Sequence, residues 1–132
     1  MFDSRMISVP INREPQAVYD FASNPANPSL RASGIGNSIA QVNGEWVVET
    51  KQGHVTIRFV ERNSLGVLDH YVTPASGVDI YVPMRVIPNG GGSELMFTLF
   101  RLPEMTDEIF NEDAETVRRD LSALKKLIEV KD

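Results

Sequence analysis

Residues 5 to 11, RMISVPI, place Ile7, Val9 and Ile11 on one side and Met6, Ser8 and Pro10 on the other, the two-residue period of a half-buried strand. Asn12 stands where a helix cap is wanted and Pro15 fits a first helical turn. Val18, Phe21 and Ala22 then recur at helical spacing until Asn24-Pro25 stops the run. A second brief helix or turn is expected over residues 26 to 33, ANPSLRAS, closed by Gly34. From Gly36 to Leu102 short apolar runs alternate with turn signals, which is the pattern of an antiparallel meander. Asn43-Gly44 has the residues of a type I′ hairpin turn. Gln52-Gly53, Asn63 to Gly66, Pro74 to Gly77 and the loop from Asn89 to Gly92 supply the other turns. The meander and the first strand together make about seven strands.

The chain ends in a long amphipathic helix. Thr106 is its cap, Asp107 and Glu108 suit its positive end, and Arg118, Arg119, Lys125 and Lys126 lie toward its negative end. Phe110, Ala114, Val117, Leu121, Leu124 and Ile128 repeat at alternating steps of four and three and form one apolar stripe, which must lie on the sheet.

Tight hairpins let the facing of one strand be carried to the next, because side chains alternate across a strand. With Asn43-Gly44 as a two-residue loop, Gln41 pairs with Trp46 and Ile39 with Val48. With Gln52-Gly53 as the next loop, Thr50 pairs with Val55, Val48 with Ile57 and Trp46 with Phe59. Pairing Asn63 with Gly66 then sets Phe59 opposite His70, Ile57 opposite Val72 and Glu61 opposite Leu68. The inward face so built holds Trp46, Val48, Val55, Ile57, Phe59, Leu68, His70 and Val72, with Asn37, Gln41 and Thr50 as polar members. Ile80, Val82, Met84 and Val86 are taken as inward, and the facing of the last strand is left open. Asp69 falls on the other face, toward water, where Arg58 can lie beside Tyr71.

Composition narrows the function classes. At 132 residues one domain spanning 1–132 with one core is expected. A net charge of −5 argues against a nucleic-acid partner, which demands a basic patch. The absence of cysteine removes disulfides and thiolate chemistry, and two histidines leave little for a metal site, so neither a metal nor another cofactor is expected. No apolar window reaches the length of a membrane span and no signal-peptide core opens the chain, so a cytoplasmic location is expected.

The opening stretch ISVPINREPQAVYDFASNPAN, with Val18, Tyr19, Phe21 and Asn24-Pro25 in place and Glu14-Pro15 in reversed order, resembles the start of the START-like, or SRPBCC, superfamily of polyketide cyclase/dehydrase and lipid-transport type. The element order extends this resemblance over essentially the whole chain. It departs from the pattern at Arg31-Ala32, where many relatives carry a tryptophan before the alanine. The resemblance implies an α+β helix-grip fold. In it a curved antiparallel sheet of about seven strands wraps around the long C-terminal helix, with one or two short helices after the first strand and a ligand cavity between sheet and helix. It further implies a small hydrophobic or aromatic partner in a monomeric or homodimeric, bacterial, cytoplasmic protein. Fold alone selects no function, since a cyclase or dehydratase and a chaperone- or stress-associated module are alternatives.

The candidate ligand-binding set is Trp46, Val48, Ile57, Phe59, Leu68, His70, Val72, Met84, Val117 and Leu121, with Arg31 at the entrance to draw an anionic group. His70 is the one catalytic candidate, as a general acid or base or as a polar anchor, against the plainer reading of a core histidine satisfied by backbone. Trp46 and Phe59 together suit an aromatic wall. Asp69 and His70 form no dyad, because neighbours in a strand face opposite ways.

Overall fold

The computed structural model describes residues 1–24, 38–50 and 53–130, and for residues 38, 39 and 50 the backbone alone. The short helix expected over 26 to 33, Gly34, Arg31 and Asn37 lie outside the described residues. In chain order the elements are β1 (Ser4–Ile11), α1 (Pro15–Ala22), β2 (Ser38–Val42), β3 (Glu45–Thr50), β4 (Gly53–Phe59), β5 (His70–Thr73), β6 (Ile80–Val82), β7 (Met84–Asn89), β8 (Gly92–Phe100) and α2 (Asp107–Val130).

All strand pairs are antiparallel and form two sheets, ordered β1-β8-β7 and β2-β3-β4-β5-β6. Eight strands are present among the described residues where about seven were expected, because residues 78 to 88 do not run as one strand. Pro83 has no N–H to give to a ladder. Its carbonyl accepts from Thr98 N–H at 3.0 Å, while β6 on one side pairs with β5 and β7 on the other pairs with β8. The two sheets are stitched at this break. Gly66 O accepts from Val86 N–H at 2.9 Å and Leu68 N–H donates to Met84 O at 2.8 Å, so the segment before β5 runs beside β7 while β5 itself runs beside β6. Leu68 thus bonds to Met84 on one side, while on the other the Phe59–His70 register continues as Val60 N–H donates to Asp69 O at 2.9 Å.

The hairpins follow the sequence with one slip. Asn43 at φ 53° and Gly44 at φ 81° make the expected turn, and Gln41 pairs with Trp46 as read. At the next turn Gly53, at φ 110°, is already the strand partner of Thr50, so Trp46 lies opposite Ile57 and Val48 opposite Val55. The register is displaced by two residues from the expected one. Because the displacement is even, every side chain keeps its face. Phe59 lies opposite His70 and Ile57 opposite Val72, as expected. The polar member Gln41 is exposed, not inward.

The helix α1 begins with Pro15 as its first residue. Its cap position is Glu14, with no capping side chain, and Asn12 instead donates its backbone N–H to Glu129 Oε2 at 2.8 Å. Thr106 does cap α2, accepting Ile109 N–H at 3.1 Å. Ala114, Leu121 and Ile128 are buried in a core with Ile7 and Ile11 of β1, Val86 of β7 and Leu95 of β8, and Phe110 is buried near the helix start. On β8 the alternation resolves with Ser93 and Leu95 buried.

Both ends of α2 are tied to β1 and the corner that follows it. Near the helix start Arg5 lies over the Phe110 ring at 4.5 Å and donates to Asn111 Oδ1 at 2.5 Å. Near its end the Arg13 guanidinium donates to the carbonyls of Ile128 and Glu129 at 3.2 and 3.1 Å, satisfying acceptors that a helix terminus leaves open. Lys125 Nζ reaches Pro10 O at 2.7 Å. The helix is held along one flank, and its middle spans the space in front of β4, β5 and β6.

Candidate functional site

That space is a cavity of about 260 Å³. The sheet supplies Val55, Ile57 and Phe59 from β4, His70 and Val72 from β5, Val82 from β6, Met84 from β7 and Phe97 from β8. The end of α1 adds Phe21, Ala22 and then Asn24, and α2 closes the other side with Val117, Asp120, Leu121 and Leu124. Its volume lies just below the range of about 300–1,000 Å³ common for small-molecule pockets. Among the described residues its lining is apolar apart from Asn24, His70 and Asp120.

Of the expected set, Ile57, Phe59, His70, Val72, Met84, Val117 and Leu121 line this cavity. Three others do not. Val48 and Leu68 are buried, 4% and 1% exposed, and Trp46 is half-buried on β3 opposite Ile57, so no wall of Trp46 and Phe59 forms. Phe59 takes His70 as its ring partner instead, with centroids 4.9 Å apart. Arg31 lies outside the described residues.

His70 is oriented by its own strand. Its Nδ1 is 3.0 Å from Leu68 O, and since a carbonyl only accepts, Nδ1 carries the proton and Nε2 is left an acceptor. Burial depresses the imidazole's pKa below the ordinary 6.5, opposed by the Leu68 hydrogen bond and the nearby Asp69 charge. The ring is therefore neutral at pH 7.

Asp120 is the ionisable residue that sequence reasoning missed. It sits one step off the expected stripe, on the flank Asp113, Val117, Asp120 and Leu124, whose spacing of four, three and four was the signal available. Burial raises its carboxyl above the ordinary 3.8, with the Arg119 charge opposing. No described residue donates a hydrogen bond to it, and because the side chain is only half-buried its carboxylate keeps contact with water.

Asp69 overturns its expectation most clearly. It does face away from His70, yet it is 6% exposed rather than in water. One carboxylate oxygen accepts Met84 N–H at 2.9 Å and Arg85 Nε at 3.1 Å, and the other accepts the Arg85 terminal nitrogen and the Tyr81 hydroxyl, both at 3.0 Å. The break at Pro83 brings these donors over the outer face. Desolvation pushes this carboxyl up, but the hydrogen bonds from Arg85, Met84 and Tyr81 and the Arg85 charge outweigh it and hold the pKa below 3.8. Arg58 does lie over Tyr71, 5.0 Å from the ring centre, and Tyr71 stacks on Tyr81 at 5.3 Å.

An antiparallel sheet wrapped about one long terminal helix, with an apolar cavity between them, is a helix-grip arrangement, and solved structures share it along nearly the whole chain. The Aha1 dimer from Colwellia psychrerythraea superposes with a TM-score of 0.74 over 97% of each chain at 14% identity. Ara h 8.0201 matches with a TM-score of 0.70 over 97% of this chain and 98% of that one at 11% identity. DynU16, from the dynemicin biosynthetic locus, matches with a TM-score of 0.68 over 97% of this chain and 48% of the DynU16 chain at 13% identity. At these identities the likeness is one of fold. No family model and no curated protein matches the sequence.

Proposed function

We propose that the chain is a START-like ligand-binding protein that takes a small hydrophobic molecule into the cavity between its strands and α2. The observation that carries this reading is the cavity itself, apolar on every side and lined by residues from seven elements, with few polar groups to orient a guest. Shared architecture with Ara h 8.0201 and DynU16 supports it at the level of fold. A cyclase or dehydratase would ask His70 to exchange protons. The bond from Nδ1 to Leu68 O suits a fixed polar anchor equally well, so binding is what the site supports best.

Titration with N-phenyl-1-naphthylamine, a small neutral dye that brightens in apolar surroundings, tests the proposal. Saturable enhancement is expected in the natural chain, with loss of it in Val72→Trp, whose indole fills the cavity. Enhancement that never saturates, or that Val72→Trp leaves unchanged while circular dichroism shows the fold intact, overturns the reading.

A further inference from the structure

The polar groups of the cavity are biased in one direction. His70, with its proton committed to Leu68 O, presents only an acceptor, and an ionised carboxylate at Asp120 presents only acceptors. Asn24 is an amide that can serve either way. Among the described residues no Lys or Arg lines the cavity. The Arg119 charge acts on Asp120 from a distance, but the α2 cations place their hydrogen bonds elsewhere. Arg119 donates to Thr116 Oγ1 at 3.2 Å, Arg118 pairs with Glu115, and Lys125 is held by Glu129 and Pro10 O.

Asp120 is a half-buried carboxylate on an apolar wall with no donor among the described residues, so a cation entering the cavity would gain a charged partner in surroundings that screen less than bulk water. We propose that the guest is a lipophilic amine, a small apolar body carrying one protonated nitrogen that donates to the Asp120 carboxylate. This deepens the ligand-binding reading and rests on it. An anionic amphiphile is the disfavoured guest, because it would set like charge against Asp120 and find no donor in His70. Uncharged guests of equal apolar size bind between these two limits. The same logic makes His70 Nε2 a second acceptor for an N–H of the guest.

Displacement of N-phenyl-1-naphthylamine at pH 7 by decylamine, decanol and decanoate separates the contributions, since the three share one hydrocarbon chain. Decylamine is expected to displace the dye at least about tenfold more effectively than decanol, as a hydrogen bond to a charged group allows. Decanoate should be weaker than both. Asp120→Asn should bring amine and alcohol together, while Asp113→Asn, which changes net charge equally on the same helix flank but outside the cavity lining, should leave the preference intact. Equal binding of amine and alcohol by the natural chain overturns the proposal while leaving ligand binding standing. So does decanoate as the tightest guest, or an amine preference that survives Asp120→Asn or is lost equally in Asp113→Asn. If none of the three displaces the dye and the dye itself does not saturate, the broader ligand-binding reading fails and this one with it.

Discussion

Asp69 is buried and Asp120 half-buried, and the fold treats the two carboxylates in opposite ways. Around Asp69 the fold assembles a backbone N–H, a tyrosine hydroxyl and two guanidinium nitrogens, so the charged form is the favoured one. Around Asp120 the described residues place Val117, Leu121 and Leu124 and no donor, so the charged form is penalised. The first carboxylate closes a joint between two sheets. The second lies on a cavity wall, where desolvation makes its charged form a cost to stability. The contrast separates a structural acid from a candidate binding acid without reference to any relative.

The largest effect should come from dismantling the joint. Asp69→Ala strands Met84 N–H, the Tyr81 hydroxyl and the Arg85 guanidinium at once, and should destabilise by about 2–4 kcal/mol in urea unfolding, the half-exposed Arg85 recovering part of its loss from water. A loss under about 1 kcal/mol would show the network to be ornamental. Gly66→Ala attacks the same joint from the backbone. Gly66 has φ 73°, and a Cβ there would stand 2.3 Å from Val86 O, so a loss of about 1–3 kcal/mol is expected from the same measurement. Asp120→Asn should go the other way, raising stability at pH 7 by about 0.5–1 kcal/mol; a destabilisation as large as that of Asp69→Ala would erase the comparison.

Acid titration sharpens the pair through opposite signs. For Asp69 the folded pKa is lowered, so its contribution is present above the ordinary 3.8 and is lost as pH falls through the folded value. For Asp120 the folded pKa is raised, so the protonated form favours folding and the advantage is lost as pH rises through the folded value. Thermal melts from pH 3 to pH 7 should therefore show Asp69→Asn falling further below the natural chain as pH rises, while Asp120→Asn gains on it over the same range. His70 gives the smallest effect. Its folded pKa lies below 6.5, so folding loses stability as pH drops from 6.5 through the folded value, and His70→Phe should flatten that slope while changing stability at pH 7 by less than about 1 kcal/mol. A slope unchanged in His70→Phe would mean that burial does not discriminate against the imidazolium.

What the linear chain settles here is local. The period of RMISVPI, the positive φ that Asn43-Gly44 accepts, the cap at Thr106 and the stripe from Phe110 to Ile128 are properties of neighbouring residues, and they were enough to order the elements and to turn His70 inward. Strand parity is robust because a slip by two, as at Gly53, leaves every face unchanged. Depth is a different quantity. Alternation tells which side of a strand Asp69 occupies but not what covers that side, and its cover came from Tyr81, Met84 and Arg85, brought there when Pro83 broke one strand into two. Trp46, Val48 and Leu68 were likewise on the right face and away from the cavity, since a face is shared by core and pocket alike. Asp120 became part of the site only because Arg5, Asn12 and Arg13 hold α2 by its ends and leave its middle spanning a gap that no single element encloses.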